Sequence, residues 1–192
     1  MRPLVLASTS PRRRELLTEA GFSFQIDAPE VDESALAGES PESLARRLAL
    51  AKARAVVPRA PREACVLGAD TVVVIDGDLL GKPRDRAEAV EMLLRLAGRT
   101  HRVLTGFALV VPALAREESG VEESLVRMHP VDRATAEGYA ATGEPLDKAG
   151  AYAAQGEGGR FVAEIRGSRA NVIGLPLEAL APRLAELGVA PS

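Results

Sequence analysis

The sequence predicts a mixed α/β fold in which helices flank a mixed β-sheet. In the first half of the 192-residue chain, short apolar strand patterns alternate with helical patterns. Later in the chain, strand patterns follow one another and are expected to pair as hairpins. Asp76-Gly77, a dipeptide typical of tight hairpin turns, follows the β-branched segment 64–75. Together these patterns indicate one sheet with parallel and antiparallel parts.

Capping signals define the first helix. Residues 3–7 form a short apolar strand, and a helical stretch follows over residues 12–20. Ser10 stands at the N-cap, Pro11 at the first helical position and Gly21 beyond the end. The strand is therefore expected to lead directly into a helix N-terminus.

The remaining elements follow from the same kinds of signal. Ser40-Pro41 opens a second helix, and Asp85 with Glu88 forms a capping box for a third. The predicted elements are a strand over 22–27, an acidic loop over 27–42, a helix to residue 56, a strand over 64–75 with an interruption at 68–71, a helix over 85–97, strands over 103–111 and 122–131, a helix over 134–141, a strand over 161–165 and a helix from 176 toward 187.

Composition excludes several classes of function. The chain has 24 basic and 27 acidic side chains, so no basic excess directs it to nucleic acid or to an anionic membrane surface. Aromatic residues make up 3% of the chain and Trp is absent, which argues against a platform for stacking bases. The longest apolar run, residues 107–115, is too short to span a bilayer.

The chain is expected to form a single domain over residues 1–192, because no linker, repeat or low-complexity tract interrupts it. No secretory signal is visible, and the single cysteine, Cys65, lies in an apolar stretch typical of a buried side chain. These features predict a cytoplasmic protein.

A candidate anion site lies between the first strand and the first helix. Ser8-Thr9-Ser10-Pro11-Arg12-Arg13-Arg14 brings hydroxyls and guanidinium groups to a helix N-terminus, where unpaired N–H groups favour a phosphate. The alternative is a well-capped surface helix with solvated arginines. The glycine spacing of a P-loop or a dinucleotide-binding turn is missing.

Asp70 is a candidate catalytic carboxylate, because it stands in an apolar strand where burial without a partner is unfavourable. In proteins, the pKa of a carboxylate that acts as a general base or a metal ligand is commonly adjusted by a nearby metal ion or lysine. The alternative is a bulge at residues 68–71 in which Asp70 caps backbone groups.

Only three of the basic residues are lysines, so each lysine in this arginine-rich chain is a candidate for a compact point charge. Lys52 and Lys82 are interpreted as phosphate contacts. The alternative is that lysine rather than arginine has remained at these two positions by chance. Lys148 is expected to pair with Asp147 or Glu144 and to shape a turn.

The sequence gives little support for zinc or for covalent catalysis. His101 and His129 have no Cys or His partner at ligand spacing, and no glycine-flanked nucleophilic serine is present. The candidates that remain are carboxylates, cations and hydroxyls. This set favours hydrolysis of a phosphoric anhydride with a divalent metal.

Several sequence blocks follow one another along the chain. They are Leu6-Ala7-Ser8-Thr9-Ser10-Pro11-Arg12-Arg13, Glu33, Lys52-Ala53-Arg54, Gly68-Ala69-Asp70-Thr71, Lys82-Pro83, Leu146-Asp147-Lys148-Ala149-Gly150-Ala151-Tyr152, Gln155-Gly156 and the stretch from Gly167-Ser168 to Gly174-Leu175-Pro176-Leu177. In this order the blocks resemble the Maf family of nucleoside triphosphate pyrophosphatases, once described as inhibitors of septum formation.

The resemblance implies an elongated mixed sheet like that of inosine triphosphate pyrophosphatases, with two lobes and a central cleft. It also implies hydrolysis of a nucleoside triphosphate to the monophosphate and pyrophosphate. Asp70 matches the proton acceptor, and a further set matches residues that hold phosphates and metal. This set is Ser8, Arg12, Arg13, Glu33, Lys52 and Lys82.

The base-selecting positions of the family match Arg12, Thr71 and Gln155, in the combination of the subfamily that acts on dTTP and UTP. The resemblance implies Mg²⁺ or Mn²⁺ as cofactor, held by Glu33 and Asp70, and a homodimer. At Arg169 the sequence departs from the family, which often has an aromatic residue there. The alternative function is a nucleotide-binding regulator of cell division that need not hydrolyse its ligand.

Overall fold

The computed structural model describes residues 1–191 and contains a mixed sheet flanked by helices. The strands are β1 (Leu4–Ala7), β2 (Phe24–Ile26), β3 (Cys65–Ile75), β4 (Asp78–Leu80), β5 (Thr100–Val111), β6 (Arg116–Met128) and β7 (Val162–Arg166). The α-helices are α1 (Pro11–Glu19), α2 (Pro41–Val56), α3 (Arg86–Leu96), α4 (Arg133–Ala141), α5 (Arg169–Ile173) and α6 (Leu177–Glu186).

The strands pair in the order β2-β1-β3-β5-β6-β7, and β4 pairs with β3. β1 is parallel to both β2 and β3, whereas β3 with β4 and β6 with β7 are antiparallel. The predicted fold class, a mixed sheet with helices on it, is therefore confirmed. None of the helices in residues 1–191 combines the length and the apolar character needed to cross a membrane.

The chain divides into two compact units. The first contains residues 1–70, 105–122 and 174–191, and the second contains residues 71–104 and 123–173. In the first unit, apolar residues of β1, α2, β3 and β5 form a core that includes Val5, Ala49, Ala53, Val66 and Ala108. Two glycines set how closely α2 approaches this sheet.

A Cβ atom at Gly68 would lie 2.1 Å from the carbonyl oxygen of Ala49, and one at Gly106 would lie 2.1 Å from that of Ala45. Because no side chain fits in these gaps, the backbone of α2 rests directly on β3 and β5. The glycines thereby fix the height of α2 above the sheet.

The core of the second unit contains residues of β3, α3, α4 and β5, among them Val73, Leu93, Val103 and Tyr139. Its first hairpin joins β3 to β4 through Asp76 and Gly77, both of which have positive φ angles, 54° and 86°. Two successive positive φ angles define the tight turn that the sequence predicts here.

Most of the predicted boundaries are confirmed within two or three residues, and α2 ends at Val56 as expected. The predicted interruption at residues 68–71 is wrong, since β3 runs without a break from Cys65 to Ile75. β6 begins at Arg116 rather than at residue 122, because strand pairing overrides the low β-propensity of its charged first residues. The short helix α5 was not predicted, although the hydroxyl of Ser168 caps it by accepting from the N–H of Asn171.

Candidate functional site

Three parallel strands of the first unit bring candidate residues to one edge of the sheet. The chain leaves β1 for β2 on one side and then passes back over β1 to reach β3 on the other side. The sheet order therefore changes direction between β1 and β3. In open α/β sheets, ligands bind outside the carboxyl ends of the strands at such a point.

Each of these three strands supplies polar groups at this edge. Ser8 directly follows β1, and the acidic loop that contains Glu33 follows β2. Ala7, the last residue of β1, is paired with Gly68, which places Asp70 two residues beyond the end of β1. Asp70 therefore lies inside the continuous strand β3.

The Lys52 ammonium group binds two carboxylates. Its Nζ lies 2.6 Å from Oδ1 of Asp70 and 2.6 Å from Oε1 of Glu33. The side chains of Lys52 and Asp70 are 9% and 11% exposed, whereas that of Glu33 is 50% exposed. A buried carboxylate thus has the cationic partner that its burial requires, and the hydrogen bond is charge-assisted.

Packing of α2 on β3 accounts for this pair. Gly68 and Asp70 are two residues apart on β3, so their side-chain positions are on the same face of the sheet. Ala49, Lys52 and Ala53 share one face of α2, and Ala49 and Ala53 are the residues that rest on Gly68. Lys52 therefore reaches Asp70 because the glycine beside it allows the helix to come close.

Arg13 is a buried cation at the start of α1. Its Nη1 donates to the Oγ of Ser8 at 3.2 Å, and its Nε donates to the carbonyl oxygen of Gly174 at 2.8 Å. Burial lowers the pKa of Arg13 below its ordinary value, while the Asp70 carboxylate acts in the opposite direction. The interpretation of this segment as merely solvated arginines is therefore wrong for Arg13.

The neighbours of Arg13 complete the start of the helix. Arg12 is half-buried in the first turn of α1, and Arg14 is exposed. Ser10 is the N-cap residue as predicted, but its side chain makes no capping hydrogen bond, and its N–H donates to Ser8 Oγ at 3.2 Å. Ser8 is thus held by hydrogen bonds on two sides.

The other three predicted residues belong to the second unit. Thr71 is half-buried on β3 and directly follows Asp70, so the two side chains point to opposite faces of the sheet. Lys82 is exposed, and Gln155 is half-buried after Ala154. The carbonyl oxygen of Gly81 accepts a hydrogen bond from the N–H of Gly150. This bond connects the backbone next to Lys82 with the backbone that follows Lys148.

Lys148 has the structural role that the sequence indicates. Its ammonium group binds the Asp147 carboxylate and the backbone carbonyl of Glu144. Arg169, where the sequence departs from the family pattern, donates from Nη2 to the carbonyl oxygen of Ala154 at 3.0 Å. Arg169 therefore contacts the segment that contains Gln155 directly, whereas Lys148 holds the turn before it.

The single cysteine and the two histidines, which the sequence did not favour as zinc ligands or nucleophiles, lie in different surroundings. Cys65 is fully buried, and burial raises the pKa of its thiol to about 12. His101 is buried with its Nε2 2.7 Å from the hydroxyl of Tyr152, and burial lowers its pKa to about 4. His129 is exposed.

Glu33 and Asp70 are the two carboxylates predicted to bind a metal. Within residues 1–191, no group of three or more His, Cys, Asp or Glu side chains is placed to hold a metal ion by itself. The two carboxylates supply oxygen ligands of the kind that Mg²⁺ or Mn²⁺ bind, and such ions draw further ligands from water and substrate phosphates.

Sequence reasoning did not select Gly106, Tyr139 or Glu144. Gly106 could be found only from the packing of α2, because its local sequence carries no turn signal. Glu144 was considered only as a partner for Lys148, whereas its carboxylate accepts from Tyr139 and from the backbone of residues 157 and 158. These contacts join residues five to fourteen positions apart and correspond to no local sequence signal.

Buried cations at the carboxyl ends of parallel strands, beside a paired carboxylate, define an α/β protein built to bind an anionic ligand such as a phosphate ester. The family model described as Maf-like protein matches residues 3–187, and the chain belongs to the Maf family.

Two relatives of known name agree with this class. The chain is 53% identical over 188 residues to a dTTP/UTP pyrophosphatase of Symbiobacterium thermophilum, which covers 98% of this chain and 95% of the relative. It is 50% identical over 177 residues to a dTTP/UTP pyrophosphatase of Salmonella typhimurium, covering 92% and 89%. A nucleoside-triphosphatase, or dITP/XTP pyrophosphatase, from Mycobacterium abscessus matches with 16% identity and a TM-score of 0.45 over 96% of this chain and 97% of that chain.

Proposed function

We propose that this protein hydrolyses dTTP and UTP, and related modified pyrimidine nucleotides, to the nucleoside monophosphate and pyrophosphate. The observation that carries the proposal is the Lys52 ammonium held between Asp70 and Glu33, in the same unit as the buried Arg13. The names of relatives that cover nearly the whole chain supply the nucleotide class.

In the proposed reaction, Asp70 accepts a proton from a water molecule as the water oxygen attacks the α-phosphorus. A new bond forms between that oxygen and the α-phosphorus, the bond between the α-phosphorus and the oxygen that bridges it to the β-phosphate breaks, and pyrophosphate leaves with that oxygen and the bonding electrons. Lys52 orients the Asp70 carboxylate through the 2.6 Å contact to Oδ1. A general base in such a position contributes about 10²- to 10⁴-fold to the rate.

The cations of the site would hold the triphosphate and neutralise the leaving group. Arg13 and Ser8 lie together at the start of α1, where backbone N–H groups and the helix dipole also favour phosphate oxygens. Lys52 is a catalytic cation in this proposal, and Lys82 is assigned to the phosphates by the family pattern. Developing charge on phosphate oxygens is what such groups stabilise.

Glu33 and Asp70 would hold Mg²⁺ or Mn²⁺. When bound, such an ion neutralises phosphate charge and polarises the phosphoryl group. Base selection is assigned to Arg12, Thr71 and Gln155. The amide of Gln155 has both a donor and an acceptor, which reading the edge of a pyrimidine requires.

A nucleotide panel tests the proposal. Purified protein with Mg²⁺ or Mn²⁺ is expected to release pyrophosphate from dTTP and UTP faster than from purine triphosphates. Asp70→Asn should lower kcat by about 10²-fold or more while nucleotide binding remains. Asp78→Asn, which alters only an exposed ion pair with Arg95, is the matched control and should keep full activity.

Release of no pyrophosphate from any pyrimidine triphosphate would contradict the proposal and favour a binding regulator of cell division. Full activity in Asp70→Asn would contradict the assignment of the base. A homodimer and a cytoplasmic location stay predictions from the sequence. Light scattering coupled to size-exclusion chromatography measures the oligomeric state directly.

A further inference from the structure

Gln155 lies in a connecting segment whose position is set by side chains from elsewhere in the second unit. Residues 152–155 lie between the short 3-10 helices Ala149–Ala151 and Gly156–Phe161. Side chains from elsewhere in the unit bind its backbone and that of the residues after it, so its geometry depends on these partners.

Two side chains, Glu144 and Tyr139, bind the backbone on both sides of Gln155. The Glu144 carboxylate accepts from the N–H of Gly158 at 3.0 Å and from the N–H of Glu157 at 3.3 Å. The Tyr139 hydroxyl donates to Oε1 of Glu144 at 2.8 Å and accepts from the N–H of Ala153 at 3.3 Å. One linked pair thus holds positions 153, 157 and 158.

Glycines make this close approach possible. A Cβ atom at Gly158 would lie 2.4 Å from the Tyr139 hydroxyl, and one at Gly156 would lie 3.1 Å from Oε2 of Glu144. Gly156 also has a φ angle of +66°, a conformation that glycine adopts without strain. The sequence around Gln155 is therefore shaped to receive the Glu144 and Tyr139 side chains.

Glu144 is itself held in place. Its N–H donates to the hydroxyl of Thr142 at 3.1 Å, and its carbonyl oxygen accepts from the Lys148 ammonium. Tyr139 is fully buried at the end of α4 and packs edge-on against Phe161 with ring centroids 5.0 Å apart. Both side chains are therefore held by further contacts of their own residues.

The protonation states suit this arrangement at neutral pH. Burial acts to raise the pKa of Glu144, but hydrogen bonds from Tyr139 and from the backbone of residues 157 and 158 outweigh it, so the pKa is lowered. Burial and the Glu144 carboxylate raise the pKa of the Tyr139 hydroxyl above its ordinary value. Glu144 remains an acceptor and Tyr139 remains a donor.

We infer that Glu144 and Tyr139 are positioning residues that hold Gln155 in the geometry needed to select a pyrimidine. The inference rests on the proposed function. It assigns no chemical step to the pair, since neither side chain reacts. Their effect is on which nucleobase the protein accepts.

Tyr139→Phe and Glu144→Gln test the inference. The first removes one hydroxyl with little change in shape. The second replaces one carboxylate oxygen with an NH2 group, which cannot accept a hydrogen bond from a backbone N–H. Each is expected to raise KM for dTTP and UTP and to lower the preference for dTTP over dATP, measured as a ratio of kcat/KM, by about tenfold, with kcat nearly unchanged. Tenfold corresponds to about 1.4 kcal/mol. Glu137→Gln, an exposed carboxylate on the same helix, is the matched control.

A double-mutant comparison separates positioning from general stability. In a Gln155→Ala background, Glu144→Gln should change the dTTP-to-dATP preference no further, because Gln155 is the group through which Glu144 acts. An unchanged preference in the single variants, or an equal loss of kcat with every nucleotide, would overturn the inference. Wild-type turnover of dTTP is measured first, so a failure of the proposed function is seen in the wild type and a failure of this inference only in the variants.

Discussion

Gly68→Ala tests whether the approach of α2 to β3 builds the site. The new Cβ would lie 2.1 Å from the carbonyl oxygen of Ala49 and 2.8 Å from the backbone nitrogen of Ala53, both on the helix that carries Lys52. Real Cβ atoms essentially never come closer than 3.0 Å to such atoms. The helix must therefore move away from the strand by about 1 Å.

This movement acts on both stability and catalysis. Overpacking of this kind costs about 1–3 kcal/mol, which lowers Tm by about 2–12 °C in a chain of this size. A displacement of about 1 Å would lengthen the 2.6 Å contact between Lys52 and Asp70 beyond a good hydrogen bond. Misplacement by that distance can reduce the rate about 10²-fold. We expect that loss in kcat/KM for dTTP, together with the lower Tm.

Two other glycines supply matched controls. Gly106→Ala would also press on α2, at Ala45, two turns before Lys52, so it should lower Tm as much but affect activity less. Gly138→Ala, on α4, where the new Cβ would meet no atom within 4 Å apart from its chain neighbours and the backbone of its own helix, should raise stability by about 0.5–1 kcal/mol and leave activity unchanged. Wild-type Tm and wild-type activity in Gly68→Ala would refute the reasoning.

Three further predictions concern buried polar groups. Lys52→Met should lower the free energy of unfolding, measured by urea denaturation, by about 3 kcal/mol, because Asp70 would remain buried without its ammonium partner. Lys52→Arg should not restore activity, because a planar guanidinium group does not take the place of a compact ammonium that lies 2.6 Å from two carboxylates. Burial lowers the pKa of His101 to about 4, below about 6.5 in the unfolded chain. Between these two pH values the unfolded state binds a proton that the folded state does not. The free energy of unfolding is therefore retained above about pH 6.5 and falls by about 2 kcal/mol by pH 5. In His101→Gln this fall should be smaller by that amount, and an equal dependence of stability on pH in the two proteins would contradict the prediction. Cys65, buried and with its pKa raised to about 12, should resist iodoacetamide in the folded protein at pH 8 and react in urea, and fast labelling of the native state would be inconsistent with that burial.

Local sequence signals predicted the elements that local contacts determine. Ser40 accepts from the N–H of Ser43 and begins α2 where the Ser-Pro pair indicates, and Asp85 accepts from the N–H of Glu88. Asp76-Gly77 forms its turn for the same reason. Each of these signals depends only on residues three or fewer positions away.

The site depends on contacts that no local pattern contains. Arg13 is buried because it binds the carbonyl of Gly174, 161 positions away in the chain, and sequence alone left open whether it was merely solvated. The scarcity of lysine selected Lys52 but could not reveal that it binds both Glu33 and Asp70, which follows from the packing of α2 on Gly68. Glu144 and Tyr139 were missed as a pair for the same reason.

Hydrolysis of dTTP in water enriched in oxygen-18 tests the central proposal most directly. Attack of water on the α-phosphorus with Asp70 as base predicts that mass spectrometry finds the heavy oxygen in the monophosphate and none in pyrophosphate. It also predicts that Asp70→Asn incorporates label at no more than about one hundredth of the wild-type rate. Heavy oxygen in pyrophosphate, or undiminished labelling in Asp70→Asn, would contradict it.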